Sequence, residues 1–302
     1  MKKQLISLIV LFAFGKVFAQ DDAQFTQFYA NKLYYNPAAT GYSDKLIGSA
    51  AYRMQWAGSP SVNAKDRPSY MLFNAAQYID DYRSGVGVSI YNARQHVQNT
   101  FQVKAAYAYH LQLNEDAFLS MGLNVGLMSK GVKNGLAQNG NPISETFTMS
   151  DLGFGLEFYM QEFQVGVSTQ HIPAILGAKS EREHTHFYYY GTYFHVIDED
   201  WIVIPSVVFR NSSFITNVDL SARVSYQNMY QLGVAWRRDA ISVLIGLTIQ
   251  ETFSLGYSFD IHNSSLAAYK GGNRQSLRPS HEIMLTYRHQ LLNRDSGGYG
   301  SW

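Results

Sequence analysis

The chain has 302 residues, 46% of them apolar, 16% charged and 15% aromatic, with a formal net charge of +1 and no cysteine. So few charges beside 22 Tyr and 18 Phe exclude a disordered polyelectrolyte, and zero Cys excludes disulfides, thiolate metal sites, a cysteine nucleophile and a lipid-modified N-terminal cysteine. Near-neutrality leaves no basic footprint for nucleic acid. Beyond the N-terminal stretch no run of about 18 apolar residues occurs, so the mature chain could cross a bilayer only as a closed β-barrel.

Met1-Lys2-Lys3 supplies a positive start, Leu5 to Phe14 an apolar stretch, and Val17-Phe18-Ala19 a small-residue cleavage site. Residues 1–19 are therefore predicted to be a secretory signal peptide, with the mature chain beginning at Gln20. Residues 20–44 follow no strand pattern. They hold Gln24-Phe25-Thr26-Gln27-Phe28-Tyr29 and then Tyr35-Asn36-Pro37-Ala38-Ala39-Thr40-Gly41. Asn-Pro followed by small residues and Gly is turn chemistry, and Phe25, Phe28, Tyr29 and Tyr35 call for burial. The segment is expected to pack inside the barrel or across its periplasmic mouth, as a plug or hatch.

From about residue 46 the sequence alternates bulky apolar with small or polar side chains, in segments long enough for tilted membrane strands and longer than the usual strands of a soluble sandwich. Leu119, Met121, Leu123, Val125 and Leu127 share one face, opposite Ser120, Gly122, Asn124 and Gly126. Ile241, Val243, Ile245, Leu247 and Ile249 repeat the pattern against Ser242, Gly246, Thr248 and Gln250, as do Phe253, Leu255, Tyr257 and Phe259 against Ser254, Gly256, Ser258 and Asp260. In 230–236, Tyr230 and Trp236 stand at the two ends of the apolar face, where aromatic girdles meet the interfaces. The Gly, Ser, Gln and Asn of the other face suit a hydrated or plugged lumen.

About fourteen strands (12–14) result, at 46–56, 69–80, 84–94, 99–112, 117–129, 148–160, 162–170, 186–196, 201–210, 215–225, 229–238, 240–249, 252–261 and 280–289. Alternate connections, 81–83, 113–116, 161, 197–200, 226–228 and 250–251, are all short, whereas 57–68, 130–147, 171–185 and 262–279 are long and fall in the other class. This sorting predicts an all-β transmembrane antiparallel barrel over 45–290, with periplasmic termini and turns, outer loops, and a C-terminal tail at 291–302.

Gln20-Asp21-Asp22-Ala23-Gln24-Phe25-Thr26-Gln27-Phe28-Tyr29 with Tyr35-Asn36-Pro37-Ala38-Ala39-Thr40-Gly41 resembles the opening of mature PorP/SprF proteins, outer-membrane components of the type IX secretion system of the Bacteroidota. Tyr52-Arg53-Met54-Gln55-Trp56, Gly85-Val86-Gly87-Val88, Tyr107-Ala108-Tyr109-His110-Leu111 and Ser280-His281-Glu282-Ile283-Met284-Leu285-Thr286-Tyr287-Arg288 extend the likeness over nearly the whole mature chain. Many members stop near Arg288, whereas here Leu291 to Trp302 continue as a Gly-rich tail. The resemblance implies a barrel embedded in outer-membrane lipid, without cofactor. It would act by protein contact with other secretion components (a periplasmic ring, a peptidoglycan-binding protein) or with the C-terminal domain of a secreted cargo such as an adhesin. Partner-binding or plug residues would be Phe25, Phe28, Tyr29, Tyr35, Asn36, Pro37, Gly41, Gln55, Trp56, Ser280, His281 and Glu282. Asn-Pro-Ala also occurs in the hatch of FadL-type transporters, so the alternative is an outer-membrane channel for a small hydrophobic or polar solute.

Enzymatic chemistry finds little support. His171, His184, His186 and His195 with Glu181 and Glu183 form at best an incomplete metal set. Neither a Gly-x-Ser-x-Gly elbow nor a Gly-x-x-x-x-Gly-Lys-Ser/Thr loop occurs. Lys45, Arg53, Arg237 and Arg238 read as strand-end or lumen residues rather than an anion site.

Overall fold

The computed structural model describes residues 24–43, 45–59, 62, 66–136, 142–173, 185–212, 216–262, 267–270, 273–276 and 278–290. The expected signal peptide, the tail at 291–302, and Glu181, Glu183 and His184 lie outside the described residues.

The strands are β1 (Lys45–Met54), β2 (Ser69–Ile79), β3 (Ser84–Gln95), β4 (Gln98–Gln112), β5 (Ala117–Leu136), β6 (Pro142–Met160), β7 (Phe163–Pro173), β8 (His186–Tyr193) and β9 (His195–Val196). They continue with β10 (Trp201–Asn211), β11 (Thr216–Tyr226), β12 (Tyr230–Arg237), β13 (Ala240–Ile249), β14 (Phe253–His262), β15 (Ala267–Lys270), β16 (Asn273–Ser276) and β17 (Ser280–Gln290). Fourteen of them close an antiparallel ring in which β1 pairs with both β2 and β17, so the first and last strands form the seam. Each of the fourteen expected strands has its counterpart. The two-residue β9 prolongs β8 along β10 after an interruption at Phe194, whose N–H instead reaches the Glu162 carbonyl at 2.7 Å. β15 and β16 make a separate hairpin outside the ring.

One expected loop is corrected. Residues 130–147 are mostly strand, because β5 and β6 remain paired from Ala117↔Met160 to Leu136↔Pro142, with a register shift between Val132 and Gly135. The alternation there is blurred by Lys130, Gly131, Lys133 and Asn134, which are poor strand formers individually but are carried by the ladder of their neighbours.

Alternation sets the facing. Leu123, Leu127, Leu232, Val234, Ile241 and Ile245 lie exposed on the outer wall, while Ser120, Asn124 and Ser242 are buried inside. Trp201, Tyr230, Phe253 and Tyr287 ring the outer wall near one rim, and Phe101, Phe187, Phe209 and Trp236 near the other. An apolar band between two aromatic belts is the surface a bilayer requires. No helix among the described residues is long and apolar enough to cross a membrane; the strands make the crossing.

The two rims differ. At one, tight turns close the hairpins: Gln227 and Asn228 (φ 51° and 51°) and Gln250 and Glu251 (φ 50° and 54°) are left-handed pairs, the backbone of two-residue turns matched to strand twist. The opposite rim carries the connection after β1 and the β15–β16 hairpin. These are called below the turn end and the loop end. Strand β1 starts at the turn end.

Candidate functional site

The lumen is filled by the chain's own N-terminal segment. Phe28–Ala30 and Pro37–Ala39 form 3-10 turns flanking a one-turn α-helix at Lys32–Tyr35. Phe25, Phe28, Tyr34 and Tyr35 are buried, and their rings interlock with lumen tyrosines of the wall. Tyr34 lies 5.2 Å from Tyr91, Tyr35 5.2 Å from Tyr188 and Phe28 5.6 Å from Tyr190. The last two are edge-to-face and the first is tilted; edge-to-face pairs contribute about 0.5–1.5 kcal/mol each beyond their burial.

At the loop end, Thr26 is the hub of a buried ionic network. Its N–H donates to Glu282 Oε2 at 2.7 Å, and the neighbouring Gln27 N–H to Oε1 at 2.9 Å. Its hydroxyl donates to Asp260 at 3.0 Å while accepting from Arg53 at 3.0 Å and Arg237 at 3.1 Å. Arg53 completes the set with ion pairs to Asp260 (2.5 Å) and Glu282 (3.3 Å). Arg53, Asp260 and Glu282 are essentially removed from solvent, so each charge depends on the others; deleting one partner of such a network costs about 3–5 kcal/mol.

The Asn-Pro-Ala-Ala-Thr-Gly stretch is seated differently, on backbone groups. Asn36 Oδ1 accepts from Ala38 N–H at 2.9 Å, capping the short turn, and its Nδ2 donates to the Leu156 carbonyl and to Tyr190 Oη, both at 3.0 Å. The carbonyl of Tyr35 receives Ser168 Oγ at 2.7 Å and Gln170 Nε2 at 3.0 Å. The carbonyl of Thr40 receives His110 Nε2 at 2.9 Å, which leaves Nδ1 as acceptor for Ser120 Oγ at 2.7 Å.

Glycines of the inner wall make room for this. A Cβ on Gly155 would come 1.9 Å from Asn36 Oδ1, on Gly122 2.3 Å from Ala38 N, on Gly85 2.0 Å from the Thr40 carbonyl oxygen, and on Gly256 1.9 Å from Gln27 Oε1. Gly41, at φ 64°, turns the chain toward β1 where a side chain would strike Gln77 O.

The segment runs along the lumen from the network near the loop end, where Thr26 meets Glu282, to the turn end at Gly41. The inward charges on β1, β12, β14 and β17 pair with one another, and Thr26 and Gln27 complete their hydrogen bonding at this level. Of the residues singled out in sequence, Phe25, Phe28, Tyr35, Asn36, Pro37 and Gly41 belong to the packed segment, and Glu282 to its anchor. Tyr29 lies against Arg223, whose guanidinium sits 3.5 Å over its ring. Trp56 N–H donates to Ser280 Oγ at 3.2 Å, and Gln55 accepts from Tyr70 Oη at 3.4 Å, joining the wall's loop end rather than the segment. His281 stands on the outer face of β17 beside Tyr257 and Phe259. Thr26, Gln27 and Asp260 were not among the candidate site residues, and Arg53 and Arg237 were read only as strand-end or lumen residues; for Arg53, Arg237 and Asp260 the signal was charge on the lumen side of the alternation.

Among the described residues no group of three or more His, Asp or Glu side chains is arranged to hold a metal ion. His171 faces Asp151 at 3.1 Å, and its ring lies 5.2 Å from that of His186. The arrangement as a whole holds a peptide segment in place: His110, Ser168 and Gln170 donate to that segment's backbone, and Arg53 pairs with the internal carboxylates Asp260 and Glu282.

Among solved structures, the chain is similar to a Pseudomonas aeruginosa FadL homologue (TM-score 0.51, 11% identity, covering 85% of this chain and 93% of that one). It is also similar to the Pseudomonas putida toluene transporter TodX (TM-score 0.50, 10% identity, 89% and 95%). At such identities the likeness concerns the fold. A sequence comparison with curated proteins found no match. The model of the family "Type IX secretion system membrane protein PorP/SprF" matches residues 17–287, and a match over that much of the chain, on a membrane barrel whose family motifs form the luminal segment and its seats, places this protein in the PorP/SprF family.

Proposed function

We propose that this barrel is an outer-membrane scaffold of the type IX secretion system, acting by protein contact in the export, anchoring or surface attachment of cargo proteins. The observation that carries this is the filled lumen: residues 24–42 occupy it along its length, tied by hydrogen bonds to a buried ionic network and by glycine seats rather than by loose contacts. A barrel so filled offers its rims and loops for binding, and loops on a rigid scaffold are the usual carriers of recognition. The expected signal peptide fits an exported protein. Partners from the secretion ring, a peptidoglycan-binding protein or the C-terminal domain of a cargo follow from family membership.

The test is deletion of the gene followed by comparison of the secreted and surface proteomes, complemented with wild type and with a variant lacking residues 264–277. The reading expects specific proteins to disappear from the surface, to return with wild type, and to remain missing with the shortened loop while the barrel still inserts. An unchanged proteome together with lost uptake of a small solute would replace it with the FadL-like channel.

A further inference from the structure

We propose that the lumen has a second, ligand-binding compartment at its turn end, which takes a small organic carboxylate. A cavity of about 130 Å3 lies between the N-terminal segment and the wall from β10 through β14 to β17. Asn228 of a tight turn, with Thr248, Ser254 and Arg288 near the strand ends, puts its mouth at the turn end.

Its charge is one-sided. Lys32, Arg223 and Arg288 line it, and among the described residues no Asp or Glu does. The carboxylates deeper in the lumen are already engaged: Asp260 and Glu282 by Arg53 and Thr26, and Glu157 by Tyr190 and Gln164. Glu251 pairs with Lys45 at the rim, at 3.6 Å. The three cations have only neutral partners among the described residues. Lys32 donates to Gln164 at 2.6 Å, Arg288 to Ser254 at 2.6 Å, and Arg223 lies over the Tyr29 ring with its Nε buried and unpartnered. A guanidinium with free N–H groups in a partly desolvated cleft selects a planar oxyanion. Ile202, Ile204 and Met284 add an apolar wall, so the anion carries an apolar body. A free small acid and the C-terminal carboxylate of a polypeptide share this chemistry.

Isothermal titration of the purified full chain in detergent tests the proposal with four probes: hexanoate, hexanol, the tripeptide Ala-Ala-Val as free acid, and the same tripeptide as its amide. Saturable binding of hexanoate or of the free-acid peptide is expected, with hexanol and the amide silent. Lys32→Met and Arg288→Gln should each weaken it about tenfold or more, the loss of one charge-assisted contact. Each variant's closure is checked by heat-dependent migration in gels, and the wild-type comparison of acid with neutral probe stands without any variant. Binding of hexanoate alone identifies a free solute as the source, and tighter binding of the peptide acid a chain terminus. No saturable binding, equal binding of the neutral probes, or unchanged affinity in both variants would overturn the site.

Discussion

Gly155→Ala should release the N-terminal segment while leaving the barrel closed. The new methyl would stand 1.9 Å from Asn36 Oδ1, 2.9 Å from its Cγ and 3.2 Å from Pro37 Cδ. Asn36 cannot step aside cheaply, because its amide is fixed by Ala38 N–H, Leu156 O and Tyr190 Oη in a site without solvent. Overpacking costs about 1–3 kcal/mol, and loss of two of these hydrogen bonds about 0.5–1.5 kcal/mol each. The undocked population should therefore rise by roughly one to four orders of magnitude, at about 1.4 kcal/mol per tenfold. Limited proteolysis of the purified barrel, read by N-terminal sequencing, measures it: the wild type should resist trimming between Gln24 and Gly41, and the variant should be trimmed. Gly48→Ala is the control, since nothing lies within 4 Å of its Cβ. Equal protection in both variants would refute the claim that wall glycines seat the segment.

Glu282→Gln should cost about 3–5 kcal/mol by leaving Arg53 undercompensated in a dry site, seen as a lower temperature for the heat-dependent gel shift; a shift equal to wild type would contradict the network. Val243→Arg on the outer wall should cost about 2–4 kcal/mol in folding into lipid vesicles. Alternation alone would make Ser242 the tolerant neighbour, but it is fully buried in the lumen, so Thr248→Arg at the cavity is the proper comparator and should cost less. A tag inserted between Lys270 and Asn273 should be labelled on whole cells and one at Asp198 should not; the reverse pattern would invert the orientation. His171→Ala with His186→Ala should leave cargo export intact, and loss of export without loss of the barrel would revive a role for the imidazoles.

The wall was legible because lipid and lumen impose opposite chemistry on successive residues, a contrast that β14 shows throughout and β13 with the one exception of Leu244, which faces inward. Boundaries failed where the constraint lapses: beyond Ser129 the hairpin of β5 and β6 continues on residues whose sequence reads as loop. The segment's burial could be read from Phe25, Phe28 and Tyr35, and its turn from Asn36-Pro37. Its depth could not, because that depends on which wall strands bring Arg53, Arg237, Asp260 and Glu282 to one level, a property of register and ring closure. The glycines were read as compatible with a plugged lumen, but only the packed structure assigns Gly155 to Asn36 and Gly122 to Ala38. Likewise Glu282 and His281 are neighbours in sequence, and only the pleat separates the anchor from the outer face.

The seam between β1 and β17 gives the luminal segment a part in barrel assembly. Thr26 is bound at once by Arg53 of the first strand and Glu282 of the last, so its partners assemble only when the ring closes. Without the segment Glu282 would lose the backbone donors of Thr26 and Gln27, and Arg53 the Thr26 hydroxyl. Only a closed ring with the segment in place supplies all of these contacts at once, so seam closure and docking of the segment reinforce each other.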